Sequence, residues 1–279
     1  MTGASHIAAI LAEAMDSSGS IHLVGEALPL STAGSMLLSA HPDRCHLLPA
    51  ADATLVGFGI GLALAGKTPV IELSGGESLW GALQQLGQEG VGLSDEFSAT
   101  MVLRVPMHNG PAAALNALDG LKAINVACPA EPADAGPLLR AALSSPGVTI
   151  LLEPVDVLGA SGGHAGDAAL GQARCVVEGD HVTIAAWGPG VGAAQAAAKT
   201  LDREGISAEV LDLRSIAPLD VDSLAESVNK TGRLVLVGTN PSILNHAVAA
   251  AFLRLESPPT TVAATSELIT TKARAAVHY

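Results

Sequence analysis

Within this chain of 279 residues, the groups able to do chemistry are few and scattered. Gly188-Pro189-Gly190-Val191-Gly192-Ala193 follows an apolar run, opens a helical pattern and fits G-x-G-x-x-A. Such a turn cradles a pyrophosphate on backbone N–H groups, and Asp212 stands near the end of the next apolar run, where a ribose-binding acid would sit. Pro189 removes one N–H from that cradle, so a nicotinamide oxidoreductase is an alternative rather than the main reading. Gly57, Gly59 and Gly61 lie inside a helical pattern instead of a strand-to-helix turn, and read as close helix packing. Cys45, Cys128 and Cys175 are odd in number and far apart. No pair of them has metal-ligand spacing, and a reducing compartment suits them better than a disulfide framework.

The elements that must position these groups alternate. Ile7, Ile10, Leu11, Ala14 and Met15 recur at helical spacing, and a short apolar run over 21–24 follows. The pattern then predicts helices over 53–65, 79–86 and 134–143, separated by strands over 69–73, 100–105 and 148–153. From Leu158 to Gly171 the chain shifts to GASGGHAGDAALG, a linker composition. Beyond it the pattern predicts strands over 181–187, 208–213, 233–238 and near 260–264, with helices over 191–203, 221–229 and 243–255. Strands alternating with helices argue for parallel sheets. The expected fold is α/β, two doubly wound domains, with boundaries at 1–157 and 175–279 and a linker over 158–174.

Composition narrows the function classes. The formal net charge of −13 disfavours nucleic-acid phosphates and anionic membranes. Hydrophobic residues reach 49% while aromatics are only 2%, so the core must be built from Ala, Leu, Val and Ile. The longest uncharged helical stretch, Ala53–Gly66, is shorter than the roughly 18 residues of a membrane span. The first residues lack the basic start of a secretory signal. A cytoplasmic protein without membrane or nucleic-acid partners is therefore expected.

Read together, LVGEAL (23–28), HPDRCHLLP (41–49) and PAADATLVGFGIGLALAGKTPVIEL (49–73) resemble the pyrimidine-binding domain of thiamine diphosphate enzymes. The likeness is to the β subunit of 2-oxo acid dehydrogenase E1 components and to the C-terminal half of transketolases. AEVLDLRSIAPLDVDSLAESVNKTGRLVLVG (208–238) is similar to the C-terminal domain of that family.

The resemblance implies site residues. In the family a glutamate five residues before the first helix glycine hydrogen-bonds the aminopyrimidine ring; counting back from Gly57 puts Asp52 in that place. Aspartate keeps the carboxylate but is shorter by about 1.5 Å; the competing reading is that Asp52 only caps the helix that follows. Glu26 matches a carboxylate near the cofactor, beside the reading of a solvated loop acid, and Leu55, Gly75 and Ser78 are implied as cofactor contacts. Gly75, Gly76 and Ser78 stand where the family has aromatic rings, so Trp80 either replaces one or, as its helical spacing favours, packs into the core. His108, in VPMHNGP, occupies a shortened form of a loop whose histidines serve the substrate, and is either a catalytic proton carrier or a surface histidine. In the C-terminal domain, Gly238-Thr239 replaces a family His-Glu, and PSILNH (241–246) replaces a glycine-rich turn.

The Gly-Asp-Gly segment that holds Mg²⁺ and the diphosphate in these enzymes is absent: Gly166-Asp167 lies in the linker, and Asp119-Gly120 lacks the first glycine. The resemblance therefore implies a partner, an α-type subunit carrying the diphosphate half. The expected assembly is α2β2 with a homodimer of this chain inside it, and the reaction on a small-molecule substrate is decarboxylation or ketol transfer. A degenerate subunit that only supports its partner is the other expectation.

Overall fold

The computed structural model describes residues 1–49, 51–89, 98–108, 124–163, 166–238 and 241–279, with backbone alone at 241–243 and 247. The chain divides into two compact units, Met1–Leu170 and Gly171–Tyr279. Between Ala160 and Ala173 the described residues form no helix or strand beyond an isolated bridge from Thr2 to Ser161. Among the described residues no helix is long and apolar enough to cross a membrane.

The first unit is built on six parallel strands: β1 (Ile21–Gly25), β2 (Cys45–Leu47), β3 (Thr68–Glu72), β4 (Met101–Met107), β5 (Ile124–Ala127) and β6 (Val148–Pro154). Their spatial order is β5-β6-β4-β3-β1-β2. Every residue of β6 is buried, as is all of β4 except Pro106. Such continuous burial is what a parallel sheet covered on both faces demands, and it explains the unbroken apolar runs of the sequence. Helices α1 (Gly3–Ser17), α2 (Thr32–Ala40) and, after it, α3 (Asp52–Leu64), α4 (Ser78–Gln88), α5 (Ala135–Ser144) and the short α6 (Val155–Gly159) supply that cover. Leu11 and Met15 of α1, Leu37 of α2 and Leu138 and Leu139 of α5 share one core with Leu23, Val70, Val102 and Leu151 of the sheet. Side chains alternate across a strand, so Ile71 points to the opposite face, where it meets α3.

That contact accounts for one of the three helix glycines. A Cβ on Gly59 would lie 2.4 Å from Ile71 Cδ1, whereas one on Gly61 would meet nothing. We expect Gly59→Ala to destabilise the chain by about 1–3 kcal/mol through overpacking, and Ile71→Val, which deletes the obstructing methyl, to recover part of the loss. Denaturant midpoints of the single and double variants measure this coupling; additive losses would contradict it.

The second unit carries β7 (Arg174–Val177), β8 (Val182–Ala186), α7 (Gly190–Asp202), β9 (Ala208–Asp212), a short strand β10 (Ser215–Ala217), α8 (Val221–Thr231), β11 (Leu234–Val237), α9 (Pro241–Ala251), β12 (Thr260–Val262) and α10 (Ser266–Val277). Its five-stranded sheet runs β12-β11-β8-β9-β7. All pairs are parallel except β7, which lies antiparallel on the edge against β9. Helix α8 has clear start and stop signals: Asp220 accepts the Ser223 N–H at 3.0 Å, and Gly232 adopts φ 70° as the left-handed residue after the last turn.

Element types follow the sequence reading closely, with boundaries shifted by a few residues. Helices α2, α6 and α10 and strands β2, β5, β7 and β10 are additional to it. In α10 the run Ile269-Thr270-Thr271 has poor intrinsic helix propensity, and burial of Ile269, Thr270 and Ala273 overrides it.

Candidate functional site

In an open parallel sheet, ligands bind beyond the carboxyl ends of the strands. Five of the sequence-derived candidates lie at that edge of the first unit. Glu26 directly follows β1, and Asp52 starts the helix entered after β2. Gly75 lies in the turn between β3 and α4, Ser78 is the first residue of α4, and His108 directly follows β4. Leu55 is fully buried inside α3. Glu26 and Asp52 are half-buried, Ser78 is buried, and His108 is exposed.

Asp52 is the first helical residue of α3. The cap position belongs to Ala51, and no side-chain capping bond closes this helix start. The helix-cap reading of Asp52 is thus corrected: the carboxylate lies in the first turn, beside the helix N-terminus, but does not tie down the orphan N–H groups there. Across from it stands α4, whose Gly81 leaves room. A Cβ there would come within 3.2 Å of Asp52 Cβ and 3.4 Å of Oδ2.

The turn after β3 is tight. Ser74 Oγ and Ser78 Oγ are 2.9 Å apart, and Ser78 N–H donates to the Gly75 carbonyl at 3.1 Å. A Cβ on Gly76 would lie 2.9 Å from Met107 Sδ, so this turn touches the residue that precedes His108. Trp80 is 61% exposed, which corrects the expectation that its helical spacing takes it into the core. Phe58 of α3 is 38% exposed and Leu64 74%.

Beneath the turn lies a charged group that pattern reading missed. Arg104 of β4 donates from Nε and Nη2 to Glu153 Oε1 and Oε2 at 2.7 and 2.9 Å, and from Nη1 to Glu72 Oε2 at 2.6 Å. Exposure is 5% for Arg104, 8% for Glu72 and 0% for Glu153. Burial raises the Glu153 carboxyl above its ordinary value, Arg104 opposes the rise, and Glu72 adds to it. The sequence signal was one charged residue inside each of three apolar runs, TPVIE, MVLRV and VTILLEP.

The remaining candidates fall elsewhere. Asp212 is fully buried, accepts the Arg214 N–H at 3.0 Å and faces Arg174 at 3.4 Å. It is held by its own unit and not turned toward a ribose. Gly190 is explained by packing, since a Cβ would come within 3.2 Å of Val237 Cγ1. Cys175, Glu178 and Glu209 bring ligand atoms within 4.8 Å of one another. Lys230 Nζ already pairs with both carboxylates. The Cys175 thiol is pushed up to about 11 by burial and by Glu209 and Glu178, which disfavours the thiolate a metal needs. Asp119-Gly120, Thr239 and the loop following His108 lie outside the described residues, as do the side chains of 241–243.

These observations define a class: a two-unit α/β chain whose candidate ligand site gathers at the carboxyl edge of the first sheet. The comparisons give the family. Residues 1–159 match the transketolase pyrimidine-binding domain and residues 171–278 the transketolase C-terminal domain, and the chain belongs to this family. It is 30% identical over 233 residues to the pyruvate dehydrogenase E1 component subunit beta of Acholeplasma laidlawii, covering 76% of this chain and 71% of that protein. It is 31% identical to the 3-methyl-2-oxobutanoate dehydrogenase subunit beta of Mycobacterium tuberculosis, covering 77% and 68% respectively. Among solved structures, an inactive β4 tetramer of a split-gene transketolase superposes with a TM-score of 0.82 at 20% identity, covering 100% of this chain and 98% of that one. A transketolase from Pichia stipitis gives 0.76 at 14% identity, covering 100% of this chain and 46% of that one.

Proposed function

We propose that the chain is the β-type subunit of a two-component thiamine diphosphate enzyme acting on 2-oxo acids, or by ketol transfer, in the cytoplasm. The observation that carries this reading is Asp52: it is the one carboxylate between Leu47 and Gly66. It stands at the start of α3 with no capping bond, beside a glycine that leaves space next to its Oδ2. A carboxylate so placed suits hydrogen bonding to an aminopyrimidine ring.

When bound, the thiazolium of the cofactor supplies the electron sink. This chain's residues bind and orient: Asp52 accepts from the pyrimidine, and Glu26 adds negative charge at the same edge. The Gly75–Ser78 turn offers backbone and hydroxyl contacts in place of a ring, and His108 donates a proton to the substrate. Mg²⁺ demands an octahedron of oxygen ligands. The Cys175, Glu178 and Glu209 cluster contains a thiol and has Lys230 paired with both carboxylates, which does not suit Mg²⁺; the sequence carries no Gly-Asp-Gly segment, and we assign the metal and diphosphate to an α-type partner. Phe58 and Leu64 of α3 and Trp80 of α4 are exposed apolar side chains, and such surface supports burial against another chain in an α2β2 assembly.

Calorimetric titration with thiamine diphosphate and Mg²⁺ tests the split site. The chain alone is expected to give no binding at physiological cofactor concentration, and the mixture with its partner saturable binding. Tight binding without a partner overturns the reading, and no binding in the mixture favours a degenerate subunit.

A further inference from the structure

We propose that Arg104 is a positioning residue for the site, acting through Glu72 and Glu153 on the two chain segments that leave the carboxyl edge beside it. The inference deepens the functional reading above and rests on it.

The register makes the link. Glu72 of β3 lies directly opposite Arg104 of β4, and Glu153 of β6 lies opposite Pro106, two residues further on the same face. One guanidinium therefore spans three adjacent strands at their carboxyl ends, bidentate to Glu153 and with its third donor on Glu72. Both carboxylates accept from fixed directions, because the fork is planar and rigid. Just beyond Glu72, Leu73 N–H donates to the Arg104 carbonyl at 3.0 Å, and the chain then turns through Ser74–Ser78. Beyond Arg104 the strand ends at Met107, whose Sδ packs where a Gly76 side chain would be. The clamp thus sets the turn carrying Gly75 and Ser78 against the segment carrying His108.

A hydrophobic filler would join these strands at least as strongly, since buried ion pairs add little net stability over well-packed apolar side chains. What the fork supplies and a filler does not is fixed geometry. A shift of about 1 Å in such a site costs on the order of 100-fold in rate.

Arg104→Lys and Glu72→Gln test the clamp in the assembled two-chain complex. Lysine keeps the charge but cannot fork, and glutamine keeps the size but weakens the charge-assisted bond that holds β3 to the fork, so both variants are expected to fold with a loosened clamp. The expected result is a fall in kcat of roughly 10- to 100-fold with weaker cofactor binding, at temperatures where both variants are fully folded. Hydrogen exchange of the chain alone should be faster over 73–80 and 105–108 and unchanged over α5. Wild-type kcat, cofactor affinity and exchange in both variants would overturn the proposal. If the wild-type complex binds no cofactor, the functional reading fails, and the exchange pattern alone then decides the clamp: faster exchange confined to the two segments supports it, and uniform exchange overturns it.

Discussion

Asp52→Ala is expected to lower turnover of the assembled complex by about 100-fold or more while leaving the chain folded. Asp52 makes no capping bond, so its loss removes only an acid from the first turn of α3, about 0.3–1 kcal/mol. Asp52→Asn should be nearly as damaging to turnover, because an amide cannot serve as the charged acceptor. Asp52→Glu restores the family's side-chain length, about 1.5 Å more reach, and is expected to keep turnover at least at the wild-type level. Steady-state assays on a panel of 2-oxo acids and ketose phosphates, paired with thermal denaturation of each variant, give the comparison. Full activity in the Asn variant would defeat the assignment.

Arg104→Met should be the most destabilising single change in the first unit, at about 3–5 kcal/mol, because it leaves two carboxylates buried without a cation. Adding Glu72→Gln and Glu153→Gln should recover part of that loss, since the two amides carry no charge to desolvate, although they lose the donors they faced. The pH dependence follows from Glu153. Its carboxyl is held above its ordinary value in the folded chain by burial, with Glu72 adding to the effect and Arg104 opposing it. The folded state therefore keeps its proton where the unfolded state has lost it. Stability falls as pH rises from the ordinary glutamate value through the raised one. Removing Arg104 takes away the opposing influence, so the fall extends to higher pH in the Met variant. Urea denaturation at acidic and mildly alkaline pH measures this. A loss of about 1 kcal/mol or less, the size of an exposed pair, would show that the triad is not desolvated as described.

Much of the fold was legible because its cause is local. Buried parallel strands must be short apolar runs, and the helices between them must repeat at helical spacing, so VIEL, MVLRV and TILLE each announced a strand. The edge strands were less legible. β2 and β7 are short, half-exposed and polar in places, and β7 runs antiparallel, a choice made by its neighbour β9 rather than by its own residues. Trp80 illustrates the same limit: helical spacing puts a residue on a face, but only the packing of α3 beside α4 decides whether that face is covered.

By itself, then, the sequence determined two α/β units, the family, the lone carboxylate at Asp52 and the absence of a Gly-Asp-Gly segment. Each of these is a matter of residue type and short-range spacing. Only the tertiary structure decided that Asp52 leaves its helix uncapped, that Asp212 is held inside its own unit, and that Arg104 joins Glu72 and Glu153. The triad's partners stand 32 and 49 residues from Arg104 along the chain. A one-residue slip of either strand would turn a carboxylate to the opposite face of the sheet. No local pattern records such a meeting, because strand register, and the burial that makes the charges bind one another, are settled only when the whole sheet has formed.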